Sequence, residues 1–201
     1  MYKIFCLYLA TFSFLFSSDL PEPYSLIKVL PYDDHGWFGN AVPLDKLIKQ
    51  FQPKTVIEVG SWLGKSTRFL AERVDKVYAV DTWLGSEEAP HLRDPRLDYL
   101  YQLFLSNVIH KELTQKIVPV RMKSIEAANA LNLKADLIYI DASHDFESVL
   151  ADIYNWQDHL NEGGLFCGDD WTWKSVAKAV KVAALSLGKK VHVEGNFWWF
   201  E

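Results

Sequence analysis

Two short apolar runs in the second half of the chain end in acidic residues. Asp141 follows the run LIYI, and Asp169 and Asp170 follow the run GGLFCG. Carboxylates that share a site repel one another, whereas a hard divalent cation such as Mg²⁺ is held by carboxylate oxygens. The three aspartates are therefore candidate metal ligands. Because Asp is also a common turn residue, loop caps and surface ion pairs are the alternative.

His144 lies three positions after Asp141 and is the candidate general base. Imidazole changes its charge near neutral pH, so a histidine beside an acidic cluster can take a proton from a reacting hydroxyl. The alternative is a structural histidine at the start of the following helix. Weaker candidates for lining a substrate pocket, with turn formation as their alternative, are Asp33, Asp34, His35, Trp37 and His91.

A glycine turn follows an earlier apolar run, in the sequence EVGSWLGKST that contains Gly60 and Gly64. Glycine there lets the backbone and the start of the next helix approach a ligand closely. A phosphate-binding loop needs four residues before Gly-Lys-Ser, but only three stand between Gly60 and Gly64. Trp62 occupies the place of the second glycine of a dinucleotide fingerprint. The spacing therefore argues against a nucleotide triphosphatase and disfavours a dinucleotide-dependent oxidoreductase.

Asp81 ends the next apolar run, about twenty residues beyond the glycine turn. An acidic side chain at this point can accept hydrogen bonds from both hydroxyls of a ribose. The alternative is a cap on the following segment. Open α/β sheets bind ligands outside the carboxyl ends of their strands, so the glycine turn and Asp81 together predict a nucleoside-containing ligand.

The elements that must position these residues alternate in type from Lys54 onward. Five of these segments are apolar runs, which are typical of parallel strands buried on both faces. They are KTVIEVG, KVYAVDTW, KIVPVRM, DLIYIDA and GGLFCGDD. Amphipathic stretches separate them, which predicts a doubly wound α/β domain. The last two runs flank Gly195 and Asn196 and predict an antiparallel hairpin at one edge of the sheet.

Two of the intervening stretches carry detailed helix predictions. The stretch SVLADIYNWQDHL places Val149, Ile153, Trp156 and Leu160 on one helical face, and a later helix should end at Gly188. The long segment from 84 to 99 is expected to act with residues 33–40 as a mobile cover over the substrate site.

The composition bounds the class of protein. The 201 residues are 49% hydrophobic, with 26 acidic against 21 basic side chains and a net charge of −5. These figures indicate one globular domain over residues 19–201 and a small partner, and they argue against a general nucleic-acid binder. The two cysteines, Cys6 and Cys167, provide neither a disulfide framework nor a cysteine-rich zinc site.

Residues 1–18 have the outline of a secretory signal. The apolar stretch from Ile4 to Phe16 is shorter than the ~20 residues that a membrane-spanning helix needs. We expect a cleavable or peripheral segment with possible membrane association. The alternative is an N-terminal helix or strand packed on the domain.

The ordered set of motifs resembles class I S-adenosylmethionine-dependent methyltransferases. Within that class the chain is most similar to metal-dependent small-molecule O-methyltransferases of the catechol and sugar-modifying types, over Lys54 to Trp171. The predicted hairpin agrees with the reversed last strand of that fold. The resemblance implies a Rossmann-like sheet, and methyl transfer from S-adenosylmethionine to a hydroxyl oxygen of a small acceptor with Mg²⁺ assistance.

The resemblance also implies a role for individual residues. The methionine part of the cofactor would be surrounded by Glu58, Gly60, Ser61, Gly64 and Ser66. Asp81 would hold the ribose, and Ser124 would lie near the adenine. The metal ligands would be Asp141, Asp169 and Asp170, with His144 as the general base. The chain departs from the histidine-bearing relatives in having Ala142-Ser143 where these often have Gly-Asp, so one acidic group is missing.

Two further expectations follow. A chain that binds the cofactor without catalysis could act instead as an interaction module through an aromatic surface that includes Trp198 and Trp199. The localisation stays open, because a signal-like N-terminus indicates export or membrane association whereas the cofactor is made in the cytosol. The oligomeric state and the identity of the acceptor are not determined by these patterns.

Overall fold

The computed structural model describes residues 20–86 and 94–201. Seven strands form one sheet: β1 (Thr55–Val59), β2 (Lys76–Asp81), β3 (Ile117–Arg121), β4 (Ala135–Ile140), β5 (Leu160–Gly168), β6 (Val191–Glu194) and β7 (Phe197–Phe200). The α-helices are α1 (Ala41–Phe51), α2 (Lys65–Ala71), α3 (Leu100–His110), α4 (Ser124–Ala130), α5 (Phe146–Trp156) and α6 (Lys174–Leu187). The signal-like segment 1–18 and His91 lie outside the described residues. Within the described ranges, no helix is both long and apolar enough to cross a membrane.

The strand order across the sheet is β3-β2-β1-β4-β5-β7-β6. The five strands from β3 to β5 pair in parallel, and β7 runs antiparallel to both β5 and β6. This arrangement confirms the predicted doubly wound α/β fold with its C-terminal hairpin. From β1 the strands are added outward on one side as β2 and β3, and then on the other side as β4 and β5. Such a reversal of strand order opens a crevice at the carboxyl ends of β1 and β4.

Both faces of the central strands are covered by helices. In β1 every residue after Thr55 is buried, and β4 is buried apart from Asp136. This burial explains why the parallel strands read as apolar runs with little alternation. The largest fully buried side chains include Trp83, Trp156 and Trp198.

The aromatic surface expected around Trp198 and Trp199 is not formed. Trp198 is 0% exposed and its indole N–H donates to the carbonyl of Asp169 at 2.8 Å. Trp199 is half-buried and stacks on His192. The expectation was wrong for Trp198. The strand β7 pairs with β5, and the Trp198 side chain packs in the core cluster that also contains residues of α5 and α6.

One predicted helix is shorter than its pattern indicated. Asp145 caps α5 by accepting a hydrogen bond from the backbone N–H of Ser148 at 2.9 Å. The helix ends at Trp156, and Leu160 opens β5, where it pairs with Ala135. The placement of Leu160 on the helical face was therefore wrong. The predicted end of α6 is confirmed, since Gly188 adopts a left-handed conformation with φ of 64°.

Candidate functional site

A cavity of about 290 Å³ lies at the carboxyl ends of β1, β4 and β5. Three parts of the chain form its wall: the glycine turn, the acidic residues after β4 and β5, and a loop that precedes α1. The lining residues are Gly36, Trp37, Phe38, Gly60, Ser61, Trp62, Lys65, Ser66, Asp141, Ala142, His144, Asp170 and Trp173. The structure thus brings two of the predicted motifs to one crevice.

The glycine turn passes very close to the end of β4. Gly60 has a φ of 91°, and a Cβ added to it would lie 1.9 Å from the carbonyl oxygen of Asp141. Both the left-handed backbone and the lack of space require glycine at this position. The turn then continues through Trp62, which is itself left-handed with φ of 48°.

Glu58 lies beneath the glycine turn and is fully buried. Its Oε2 accepts hydrogen bonds from the hydroxyls of Ser61, at 2.9 Å, and Thr67. Burial raises the pKa of Glu58 to about 7, while the hydroxyls of Ser66, Thr67 and Ser61 act in the opposite direction. The second oxygen, Oε1, is buried and has no hydrogen-bond partner among the described residues. This side chain can therefore accept one more hydrogen bond from a ligand.

Asp81 holds the glycine turn in place. Its Oδ2 accepts the backbone N–H groups of Ser61 and Trp62, both at 2.9 Å, and its Oδ1 accepts that of Trp83 at 2.7 Å. Burial raises the pKa of Asp81, and these backbone hydrogen bonds oppose the rise. Asp81 thus makes the cap that was the alternative to the ribose role, and the ribose role stays a prediction.

Ser124 lies at the start of α4 and does not line the cavity. Its hydroxyl donates to Asp152 and accepts from the indole N–H of Trp156 at 2.8 Å. Burial raises the pKa of Asp152 to about 6. The predicted contact of Ser124 with adenine has no counterpart in this arrangement and stays a prediction.

The three aspartates form one cluster. One oxygen from each of Asp141, Asp169 and Asp170 can be chosen so that all three lie within 4.8 Å of one another. Burial raises the pKa of Asp141 well above its ordinary value, and the charges of Asp169 and Asp170 raise it further. Burial likewise raises the pKa of Asp169. Three close oxygen ligands in a place that disfavours free carboxylates fit a hard divalent cation.

The C-terminal hairpin supports this cluster through Asn196. The side-chain amide of Asn196 donates to Asp169 Oδ1 at 2.7 Å and to Asp170 Oδ1 at 3.1 Å. Its oxygen accepts the backbone N–H and the hydroxyl of Thr172. Sequence analysis identified Asn196 only as a turn residue, and no local pattern connects it to aspartates 26 or 27 positions earlier.

His144 lies beside the cluster and forms part of the cavity wall. Its Nε2 is 2.7 Å from Asp170 Oδ2, and its ring stacks on Trp173 with centroids 4.6 Å apart and planes 14° apart. Its backbone carbonyl accepts the Ser175 hydroxyl at 2.5 Å. The imidazole is therefore held in one plane with an acidic partner, an arrangement that suits a general base.

Residues 30–40, here termed the strap, cross the cavity edge. Asp34 pairs with Arg68 at 2.7 Å, and the backbone N–H of Asp33 donates to Asn107 at 3.0 Å. Trp37 lines the cavity as predicted, whereas Asp33, Asp34 and His35 are not among its lining residues. Asp33 also pairs with Arg96 at 3.2 Å, which connects the strap to the expected cover segment. Residues 87–93 of that segment lie outside the described ranges.

Sequence analysis missed several lining residues. The sequence analysis considers Lys65 only as part of a phosphate-loop pattern whose spacing is one residue too short. No sequence pattern indicated a role for Trp173. Both lie in the cavity wall because α2 and α6 begin at its rim. A helix that starts at the carboxyl end of a strand places its first residues near any ligand bound there.

Comparisons with known proteins agree with this geometry. A family model described as a methyltransferase domain matches residues 57–171. An uncharacterised protein of Sinorhizobium fredii is 26% identical over 133 residues, which make up 63% of this chain and 14% of that protein. The chain therefore spans a small part of that curated relative.

Solved structures share the fold at low sequence identity. A Staphylococcus aureus protein proposed to be a caffeoyl-CoA O-methyltransferase superposes with a TM-score of 0.64 and 14% identity, covering 83% of this chain and 85% of that chain. A Bacillus cereus O-methyltransferase in complex with SAH gives 0.59 and 15%, covering 85% and 84%. The family match spans the glycine turn, Asp81 and the acidic cluster on one sheet. The chain accordingly belongs to the methyltransferase domain family.

Proposed function

We propose that the chain transfers the methyl group of S-adenosylmethionine to a hydroxyl oxygen of a small molecule, with Mg²⁺ bound by Asp141, Asp169 and Asp170. The observation that carries this proposal is the position of His144. Its Nε2 lies 2.7 Å from Asp170 in the wall of the cavity that the glycine turn also lines. A base, a set of oxygen ligands and a cofactor turn therefore meet at one crevice.

The cofactor site is supported by the glycine turn. S-adenosylmethionine, when bound, supplies a methyl group activated by its positively charged sulfur. The buried and unpartnered Oε1 of Glu58 fits the ammonium group of the methionine part, which offers the missing donor. Gly60 and Ser66, which belong to the glycine turn, line the cavity. Asp81 orders this turn through its backbone hydrogen bonds and is proposed also to bind the ribose.

The metal site is supported by the aspartate cluster. Mg²⁺, when bound, supplies a Lewis acid that lowers the proton affinity of the acceptor hydroxyl. Asp141, Asp169 and Asp170 would hold it with the oxygens that lie within 4.8 Å of one another. Asn196 keeps two of these carboxylates in fixed orientation by donating to both.

His144 would take the proton that the acceptor oxygen loses as it attacks the methyl carbon. When Nε2–H donates to Asp170, the lone pair of the ring is on Nδ1, and the proton is accepted there. The nearby Asp170 carboxylate stabilises the imidazolium that forms. The stacked Trp173 ring keeps the imidazole plane fixed during this step.

Methyl transfer to a panel of hydroxylated small molecules tests the proposal. The assay uses S-adenosylmethionine with a labelled methyl group, in excess Mg²⁺ or in excess chelator. We expect labelled methyl ethers that form only with the metal. His144→Ala should lower kcat by about a hundredfold or more. Its affinity for S-adenosylhomocysteine, measured by calorimetry, should not change.

The matched control is His192→Ala, which removes a histidine from the hairpin outside the cavity wall. This variant should transfer methyl groups at the wild-type rate. Transfer that persists unchanged in excess chelator would contradict the metal role. Binding of S-adenosylhomocysteine without transfer to any acceptor would support the non-catalytic alternative instead.

We also propose that residues 1–18 form a cleavable or peripheral signal-like segment. The apolar stretch from Ile4 to Phe16 supports this assignment. Cell fractionation with N-terminal sequencing of the mature chain tests it. We expect the chain in a membrane or exported fraction, with an N-terminus after residue 18 if the segment is cleaved and at Met1 if it is peripheral. A soluble cytosolic chain that retains Met1 would contradict the proposal.

A further inference from the structure

Lys65 is the first residue of α2 and a half-buried part of the cavity wall. Its stem packs against the strap: a Cβ added to Gly36 would lie 3.6 Å from Lys65 Cβ and 3.8 Å from its Cδ. The lysine stem is thus held between the strap and the glycine turn. An ammonium group at the end of a held stem can be presented to a ligand at little further entropic cost.

Lys65 has no acidic partner in the part of the chain that the structure describes. Among residues 20–86 and 94–201, none of the ion pairs or hydrogen bonds involves its ammonium group. Arg68, three positions later on the same helix, is by contrast paired with Asp34 at 2.7 Å. The other charged residues that line the cavity are Asp141 and Asp170, which already belong to the acidic cluster with His144. An ammonium group in a cavity wall that is not engaged by these carboxylates can pair with an anionic group of a ligand.

The surroundings of Lys65 are otherwise aromatic. Trp37, Phe38 and Trp62 lie in the same wall, and the Trp37 and Trp62 ring centroids are 6.0 Å apart. Trp37 is 60% exposed. This wall of the cavity therefore combines flat apolar side chains and one lysine, and two of the clustered aspartates line the same cavity.

We propose that Lys65 determines acceptor specificity by binding an anionic group, a carboxylate or a phosphate, on a ring-bearing acceptor. The inference rests on the proposed function and deepens it, because it names the chemical class of the molecule that is methylated. The carboxylate of the cofactor is a second source of the same chemistry. The test therefore measures cofactor and acceptor binding separately.

The experiment uses three probes that share one dihydroxylated ring: 3,4-dihydroxybenzoate, its carboxamide and 3,4-dihydroxybenzylamine. Calorimetry measures their binding to the full chain saturated with S-adenosylhomocysteine and Mg²⁺. The wild type should bind the carboxylate about tenfold more tightly than the neutral amide. Lys65→Met, which keeps the apolar stem, should bind the two equally. Lys65→Glu should reverse the order and favour the amine.

Lys174→Met is the matched control, because Lys174 is an exposed residue next to the cavity rim but not in its wall. It should keep the wild-type preference for the carboxylate. The inference is overturned if the wild type fails to prefer the carboxylate or binds none of the probes, or if Lys65→Met retains the preference. It is also overturned if Lys65→Met weakens S-adenosylhomocysteine itself by about tenfold, since the anion is then the cofactor's. Failure of the wild type to bind S-adenosylhomocysteine would instead contradict the proposed function.

Discussion

The two sides of the cavity bury acidic side chains in opposite ways. At the glycine turn, buried Glu58 and half-buried Asp81 lie next to donors from the turn and from Trp83, namely two hydroxyls and three backbone N–H groups. At the acidic cluster, half-buried Asp141 and buried Asp169 each lie next to another carboxylate. The donor to Asp141 is weak, since the Tyr139 hydroxyl lies 3.4 Å away, and Asp169 accepts from the Asn196 amide at 2.7 Å but still faces the Asp170 carboxylate.

The difference shows which side needs a partner from outside the chain. The hydrogen bonds to Glu58 and Asp81 come from the chain itself and oppose the effect of burial, so the glycine turn is held in place without a ligand. Carboxylates that face one another are destabilised until a proton or a cation neutralises them. The cluster is consequently the part of the site where a bound metal should have the larger effect on stability.

The largest effect is expected from Gly60→Val, which breaks the contact between the two sides. The added side chain would overlap the Asp141 carbonyl, since even a Cβ lies 1.9 Å from that oxygen. We expect a loss of about 4 kcal/mol or more in the free energy of unfolding, together with loss of S-adenosylhomocysteine binding. Urea denaturation and calorimetry measure the two. The control is Gly39→Ala, because a Cβ at Gly39 meets nothing within 4 Å.

Glu58→Gln tests whether the glycine-turn acid is protonated when it is buried. Burial raises its pKa from 4.5 to about 7, so the folded chain holds a proton that the unfolded chain releases in this range. The stability that this proton provides is complete below pH 4.5 and is lost as the pH rises through about 7. Across this pH window the free energy of unfolding of the wild type should fall by about 3 kcal/mol more than that of Glu58→Gln.

Urea denaturation at several pH values measures the difference between Glu58→Gln and the wild type. Asp152→Asn is the matched variant on another element, since the pKa of Asp152 is raised from 3.8 to about 6. Its effect should therefore fall in a lower pH window. Identical pH profiles for Glu58→Gln and wild type would show that Glu58 is charged in the folded chain.

Asp169→Asn sharpens the comparison at the acidic cluster. In chelator this variant should be at least as stable as the wild type, because one like charge has been removed. Saturating Mg²⁺ should stabilise the wild type by about 2 to 3 kcal/mol through mass action and the variant by much less. Thermal unfolding with and without Mg²⁺ measures both. Asp158→Asn, which changes an exposed acid, should respond to Mg²⁺ as the wild type does.

The smallest effect is expected from Asn196→Ala, which removes a neutral donor from the cluster. The free energy of unfolding should fall by about 1 to 2 kcal/mol in chelator, and by less in Mg²⁺, because the cation then compensates Asp169 and Asp170. Asn161→Ala is the matched control, since Asn161 donates to Asp136 at 2.8 Å outside the cluster. Its cost should be the same with and without Mg²⁺. An equal cost of Asn196→Ala under both conditions would contradict a shared role with the metal.

Sequence reasoning went furthest where one physical rule connects residues that are far apart in the chain. Asp141 and Asp169 each follow an apolar run, and one helix joins the two runs. Parallel strands with one connecting helix are usually neighbours, which is why the clustering of these acids was predictable. Helical periodicity was a poorer guide at Leu160. The apolar spacing of the helix continued past the end of α5 into the first residue of β5.

The sequence by itself determined the parallel sheet, the terminal hairpin, the glycine turn and the acidic strand ends. These features depend on local hydrophobic periodicity, on backbone conformations that need glycine, and on strand connections that follow general rules. Only the tertiary structure decided that Trp198 is buried, that Asn196 supports the acidic cluster, and that Lys65 lies in the cavity wall. These facts depend on which surfaces of distant segments pack together, and neither periodicity nor spacing along the chain records that choice.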